Sequence, residues 1–165
     1  MMTNRHNNID LADYQALAEF RYQIRCFLHF SEQMARAAGL EPQQHQVLLA
    51  IKGFPQGKSA TVGEIAHRLQ IQHHSAVELI DRLVDRGFVE RQRDESDLRR
   101  VIVNLTADGE EILGELSTTA LAELRSTGPE LVQALSLLIA NHSPHKMAYA
   151  PSTAKEDREE YRQKS

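Results

Sequence analysis

The chain holds a single cysteine, Cys26, so no disulfide can form within it and a reducing compartment is expected. It lacks any apolar run near the roughly 18 residues that would suggest a membrane span. Its first residues, MMTNRHNNIDLADY, contain no apolar stretch of signal-peptide type. A cytoplasmic protein with no membrane partner is therefore expected. An excess of positive charge is also missing, since the net charge is −4 over 165 residues. That sum hides a division: from Lys58 to Asn104 eight Lys/Arg balance eight Asp/Glu, and the whole deficit lies outside this stretch. A phosphate backbone responds to where cations point rather than to their total, so charge leaves DNA binding open.

The groups an enzyme needs are absent too. No paired carboxylates, nucleophile–base set or cofactor loop can be found, and neither catalysis nor a cofactor is expected. The segment Gly53-Phe54-Pro55-Gln56-Gly57-Lys58-Ser59 nearly spells a phosphate-binding loop. It has three residues between the glycines where the motif needs four, and helical rather than strand pattern precedes it. Eight histidines raise the question of a metal. Cys26 and His29 are three apart, but no set reproduces a spaced four-ligand zinc pattern, so no metal site is expected.

What is present is mostly helical periodicity. From Ala12 to Ala38 there is no glycine or proline, and Leu17, Phe20, Ile24 and Phe27 recur at spacings of three and four. Gly39 then supplies a helix stop. Such a helix would be ~40 Å long, too long for one small domain to cover. Tyr22, Cys26 and Phe30 make its other side apolar as well, which calls for a second packing partner, a second copy of the chain. A helix from Pro42 to Lys52 follows, with proline suited to its first turn, and the loop Gly53–Ser59 comes after it. Thr61 caps a short helix with Glu64 three residues on. The tight connection Gln70-Ile71-Gln72 leads into a helix from His73 to Arg86, which Gly87 ends. Phe88–Arg93 and Arg100–Leu105 read as two strands of a hairpin, with Asp94–Arg99 joining them. A long helix begins after Thr106. Gly128-Pro129 is expected to break it, leaving a last helix over Glu130–Asn141. The remainder from Ser143 is a polar tail.

The predicted fold class is therefore mostly α with a small β-hairpin wing: a winged helix-turn-helix. The expected divisions are 1–39, an N-terminal helix; 40–106, the winged lobe; 107–142, C-terminal helices; and 143–165, the tail. Helix, turn and helix from Thr61 to Arg86 form the helix-turn-helix. The wing Asp94-Glu95-Ser96-Asp97-Leu98-Arg99-Arg100 puts arginine at a turn tip, where it can enter a narrow minor groove. Asp97 could orient the Arg99 guanidinium through paired hydrogen bonds, or the two could form a surface pair of little energetic value.

The text LEPQQHQVLLAI (Leu40–Ile51), TVGEIAHRLQIQHHSAVELIDRLVDRGFVER (Thr61–Arg91) and DESDLRRVIVNLTADGEEIL (Asp94–Leu113) resembles the MarR family of bacterial winged-helix regulators. The wing's Asp-x-Arg step and the strand ending Val-x-Leu-Thr are its most specific parts. Glu95 and Leu98 depart from the family's usual proline and basic residue, which lowers the wing's positive charge. The resemblance implies a homodimeric DNA-binding transcriptional regulator, a repressor on a pseudo-palindromic operator, dimerising through its N- and C-terminal helices (1–39 and 107–142). The helix from His73 would lie in the major groove of duplex DNA, with His73, His74, Ser75, Glu78 and Arg82 as contact residues, Arg82 alternatively pairing with acids of the fold. Asp97, Arg99 and Arg100 would serve the wing, Arg99 in the minor groove. The resemblance also implies release by a small-molecule effector, in a cleft for which Tyr22, His29, Phe30 and His45 are candidates. Cys26 is a candidate redox sensor, although apolar neighbours favour a small buried interface thiol. The alternative from another class is a winged-helix module that binds protein and has little DNA affinity.

Overall fold

The computed structural model describes residues 9–94, 97 and 100–140. The expected tail, Arg99 and the end of the last helix at Asn141 lie outside these residues. The chain order is α1 (Leu11–Ala37), α2 (Pro42–Lys52), α3 (Val62–Leu69), α4 (His73–Asp85), β1 (Val89–Arg93), β2 (Val101–Leu105) and α5 (Ala107–Ala140). Among these residues no helix is long and apolar enough to cross a membrane.

Each helix starts and stops for a local reason. Asp10 and Asp13 cap α1 reciprocally: the Asp13 N–H donates to Asp10 Oδ1 at 2.9 Å, and the Asp10 N–H donates to Asp13 Oδ2 at 3.2 Å. Pro42 opens α2, where a missing N–H costs nothing. Thr61 caps α3 by accepting from the Glu64 N–H at 3.4 Å. The turn between α3 and α4 runs through Gln70, the one non-glycine residue with positive φ (56°) among those described. There the Ile71 N–H reaches back to the Ala66 carbonyl at 3.1 Å, so the two helices of the motif are joined with almost no loop.

The core lies in the central lobe. Val47 and Leu48 of α2, Ile65 of α3, Ile80 and Leu83 of α4, Val89 of β1 and Val103 of β2 are fully buried, with Leu113 and Leu116 of α5 closing one side. Each such side chain stabilises the fold by about 1.5–3 kcal/mol through removal from water. The hairpin is antiparallel, in register from Val89↔Leu105 to Arg93↔Val101. An isolated antiparallel bridge joins Thr61 to Ile102, a pairing that periodicity does not announce.

Two expectations are corrected. Gly128-Pro129 does not break the last helix, since α5 is continuous from Ala107 to Ala140 with Pro129 inside it. Proline removes one backbone donor, yet its φ is helical, and packing of α5 along α1, with Ala134 and Ala16 both buried, keeps the segment in line. Leu17, placed on the packing face of the first helix by its spacing, is exposed, and Ile24 is only half-buried. The single chain buries little of α1 because α5 covers only part of it. Exposed large apolar side chains gather on these two helices: Tyr14, Leu17, Tyr22 and Leu28 on α1, and Leu121, Val132, Leu135, Leu137 and Ile139 on α5.

Candidate nucleic-acid interface

Helix α4 buries Ala76, Leu79, Ile80 and Leu83 and turns the opposite side outward. His73, His74, Glu78 and Arg82 are exposed and Ser75 is half-buried, so the five expected contact residues share the outer side or first turn of one helix. Gln72, at the N-cap, makes no side-chain cap hydrogen bond, and the first turn has no acidic residue. The opening N–H groups of a helix have no acceptor within it and carry partial positive charge. Here they are left for an anion or a base edge beside His73 and His74.

Arg82 has a partner in the fold. Its guanidinium lies 3.1 Å from the Glu41 carboxylate at the start of α2. This is the pairing that sequence left as an alternative to phosphate contact, and Glu41 itself was not foreseen because it stands 41 positions away. Arg86 is also committed to the fold: it donates to the Gly39 carbonyl at 2.9 Å and to Gln44 Oε1 at 3.2 Å, with its guanidinium 4.9 Å from the centre of the Phe88 ring. Arg91 of β1 pairs with Asp81 of α4 at 2.6 Å, which fixes the wing strand to the helix it follows.

At the wing, the Asp94 N–H donates to the Arg100 carbonyl at 3.0 Å, continuing the strand register by one step, and the Arg100 N–H donates to the Asp97 carbonyl at 2.8 Å. The Arg100 guanidinium is 3.6 Å from the Asp94 carboxylate. Register alone, Arg93 opposite Val101, would have pointed to that neighbouring pair. Asp97 is exposed. Its expected partner Arg99 lies outside the described residues.

The four expected effector residues are not brought together. Tyr22 lines a cavity of ≈ 180 Å³ between α1 and α5, with Gln23, Cys26, Phe27, Glu123 and Leu131. His29 and Phe30 do not line it, and His45 is buried in α2 with Nδ1 lacking any hydrogen-bond partner among the described residues. Burial lowers the pKa of His45 below its ordinary 6.5. Cys26, expected as a small thiol buried at an interface, is exposed on the single chain. Its proximity to Tyr22 raises the phenol's pKa above its ordinary 10.0. No cluster of three or more metal-ligating side chains occurs among the described residues.

This architecture is that of a winged helix-turn-helix protein, and residues 38–100 match the MarR family. The resemblance drawn from the sequence is borne out over this segment. An HTH-type transcriptional regulator of Bacillus subtilis, YsmB, is 34% identical over 65 residues, which span 39% of this chain and 44% of that protein. Three solved structures share the fold. The MarR family transcription regulator SP03579 superimposes with a TM-score of 0.64 at 18% identity, over 92% of this chain and 93% of its own. AbsC of Streptomyces coelicolor gives 0.61 at 18% identity, over 96% and 99%. A point variant of Staphylococcus aureus MepR, bound to an oligodeoxyribonucleotide, gives 0.56 at 20% identity, over 91% of each chain.

Proposed function

We propose that this chain is a sequence-specific DNA-binding transcriptional regulator, a repressor that acts as a homodimer on a pseudo-palindromic operator. The observation that carries this reading is the first turn of α4. It has no side-chain cap and no acid, and it presents His73 and His74 outward with Ser75 half-buried beside them. The MepR variant with the same fold is bound to DNA, which supports a like use of this surface. In this reading the wing serves the adjoining minor groove, with Arg99 as its residue there. Dimerisation is supported by the apolar side chains left exposed along α1 and α5, more than an isolated chain leaves in water without reason. The two α4 helices would then face successive major grooves, about 34 Å apart.

The division into a central DNA-reading lobe at 40–106 and dimerisation helices on either side is part of the same proposal, as is a cytoplasmic, non-catalytic role. An effector is assigned to the α1–α5 cavity, where Tyr22 and Cys26 meet. It would act by favouring a separation of the α4 helices that fits DNA poorly. Selection of bound duplexes from a random library, with affinity followed against salt, tests the proposal. An enriched inverted repeat with a steep salt slope is expected. No enrichment and no salt dependence would turn the reading to a protein-binding module.

A further inference from the structure

The end of α4 and the start of α5 meet at a single joint. Gly87, at φ 75°, turns the chain out of α4. Its N–H donates to the Val84 carbonyl at 2.9 Å, and the Phe88 N–H donates to the Leu83 carbonyl at 3.0 Å, so the last carbonyls of α4 are satisfied. Thr106 approaches from the other side. Its N–H donates to the Phe88 carbonyl at 3.1 Å, and its hydroxyl donates to the Gly87 carbonyl at 2.6 Å. The same hydroxyl accepts from the Gly109 N–H at 3.1 Å and so caps α5. One oxygen therefore begins one helix and grips the peptide that ends another.

Gly109 makes the approach possible. A Cβ at this position would stand 2.0 Å from the Phe88 carbonyl oxygen and 3.0 Å from its carbon, whereas a Cβ at Gly114, in the same helix, would meet nothing within 4 Å. Glycine is a poor helix residue compared with alanine, and Gly109 is not among the residues of positive φ. The reason for glycine here is close contact, not backbone conformation. Around the joint, Arg91–Asp81 ties the wing to α4 at 2.6 Å, and an ion pair from Lys52 to Glu110 ties α2 to the first turn of α5. The reading helix, the wing and the start of α5 are thus held at one mutual angle.

Resting on the reading of a DNA-binding homodimer, we propose that Gly109 and Thr106 are positioning residues that set the direction of α4 relative to α5. In a dimer built on α1 and α5, that direction determines the half-site spacing the protein accepts. Neither residue touches DNA. Their effect is transmitted through the Gly87–Phe88 peptide.

The test uses the full chain, with inverted repeats of varied spacer selected by the wild type, Gly109→Ala and Gly114→Ala. Both alanines improve helix propensity alike, but only the first pushes on Phe88. Gly114→Ala is expected to keep the wild-type spacer. Gly109→Ala should shift it, or lose about tenfold in affinity for the wild-type operator, the scale of one displaced base contact. Low-salt binding to random duplex should be unchanged. Thr106→Val, which deletes both hydroxyl bonds without added bulk, should act in the same direction, and Thr106→Ser should restore the wild-type spacer. Unchanged spacing and affinity in Gly109→Ala overturns the proposal, as does the same result in Thr106→Val should the glycine variant not fold. If the wild type selects no inverted repeat, the DNA-binding reading fails and the proposal falls with it. A wild type that selects one, beside an indifferent Gly109→Ala, sinks the joint alone.

Discussion

Arg82 of α4 and Glu41 at the head of α2 form an ion pair of 3.1 Å across the face of the lobe. Both side chains are about half exposed (53% and 56%), so water screens the pair and its contribution to stability is about 0–1 kcal/mol. Its consequence lies elsewhere: a cation on the outer side of α4 is turned towards the protein.

Glu41→Gln should release Arg82 for a phosphate. Operator affinity should rise at low salt, and the slope of log affinity against log salt should steepen by about one ion. Thermal stability should change by less than about 1 kcal/mol. A salt titration of wild type and variant checks this, and equal slopes would show that Arg82 never reaches DNA.

His73→Ala and His74→Ala remove exposed side chains, so folding stability should stay within about 0.5 kcal/mol of wild type. Operator binding should weaken by about 1–3 kcal/mol where the ring reads a base. Arg99→Ala should cost a similar amount through the minor groove. Titration against operator and scrambled duplex separates the cases: a histidine that matters equally for both contacts only the backbone.

The apolar side chains on α5 predict how the proposed dimer would fail. Val132 is 62% and Ile139 67% exposed on the single chain. Val132→Asp places a charge where burial of valine would stabilise association by about 1.5–3 kcal/mol per copy. In a two-fold interface each substitution acts twice. Sedimentation should show a dimer for wild type and dissociation for the variant, with helical content retained by circular dichroism. An unchanged dimer would place the interface on another surface.

His45 predicts a pH dependence. Its neutral ring is buried with an unpaired Nδ1, and its pKa is lowered from 6.5. Below 6.5 the unfolded chain binds a proton at this residue that the folded chain does not, so protonation favours unfolding. Stability should therefore fall as pH drops from 6.5 towards the lowered value, and this loss is absent above 6.5. His45→Leu should flatten that part of the curve in urea midpoints taken across the window. A variant with the wild-type slope would show that other groups cause it.

Much of the fold was legible because it follows from residues three or four apart. The spans of α2 and α4, the Thr61 cap, Gly87 as a stop and the hairpin pattern all come from short-range rules of periodicity and capping. The outward first turn of α4 was legible for the same reason. Short-range rules misled at Gly128-Pro129: a local breaker predicted an end, and packing against α1 carried the helix through. They misled again at Leu17, whose apolar neighbourhood in sequence says nothing of which side a partner helix covers.

The sequence by itself determined most of the segments that are helix or strand, α4 among them, since those depend on propensity and spacing within a few residues. Only the tertiary structure decided that Arg82 is engaged by Glu41 and that Arg86 holds Gly39 from 47 positions away. It alone brought the Phe88 carbonyl against Gly109, where no Cβ fits. These relations join residues from different elements, and their distances are set by how the whole core packs, which no local pattern encodes.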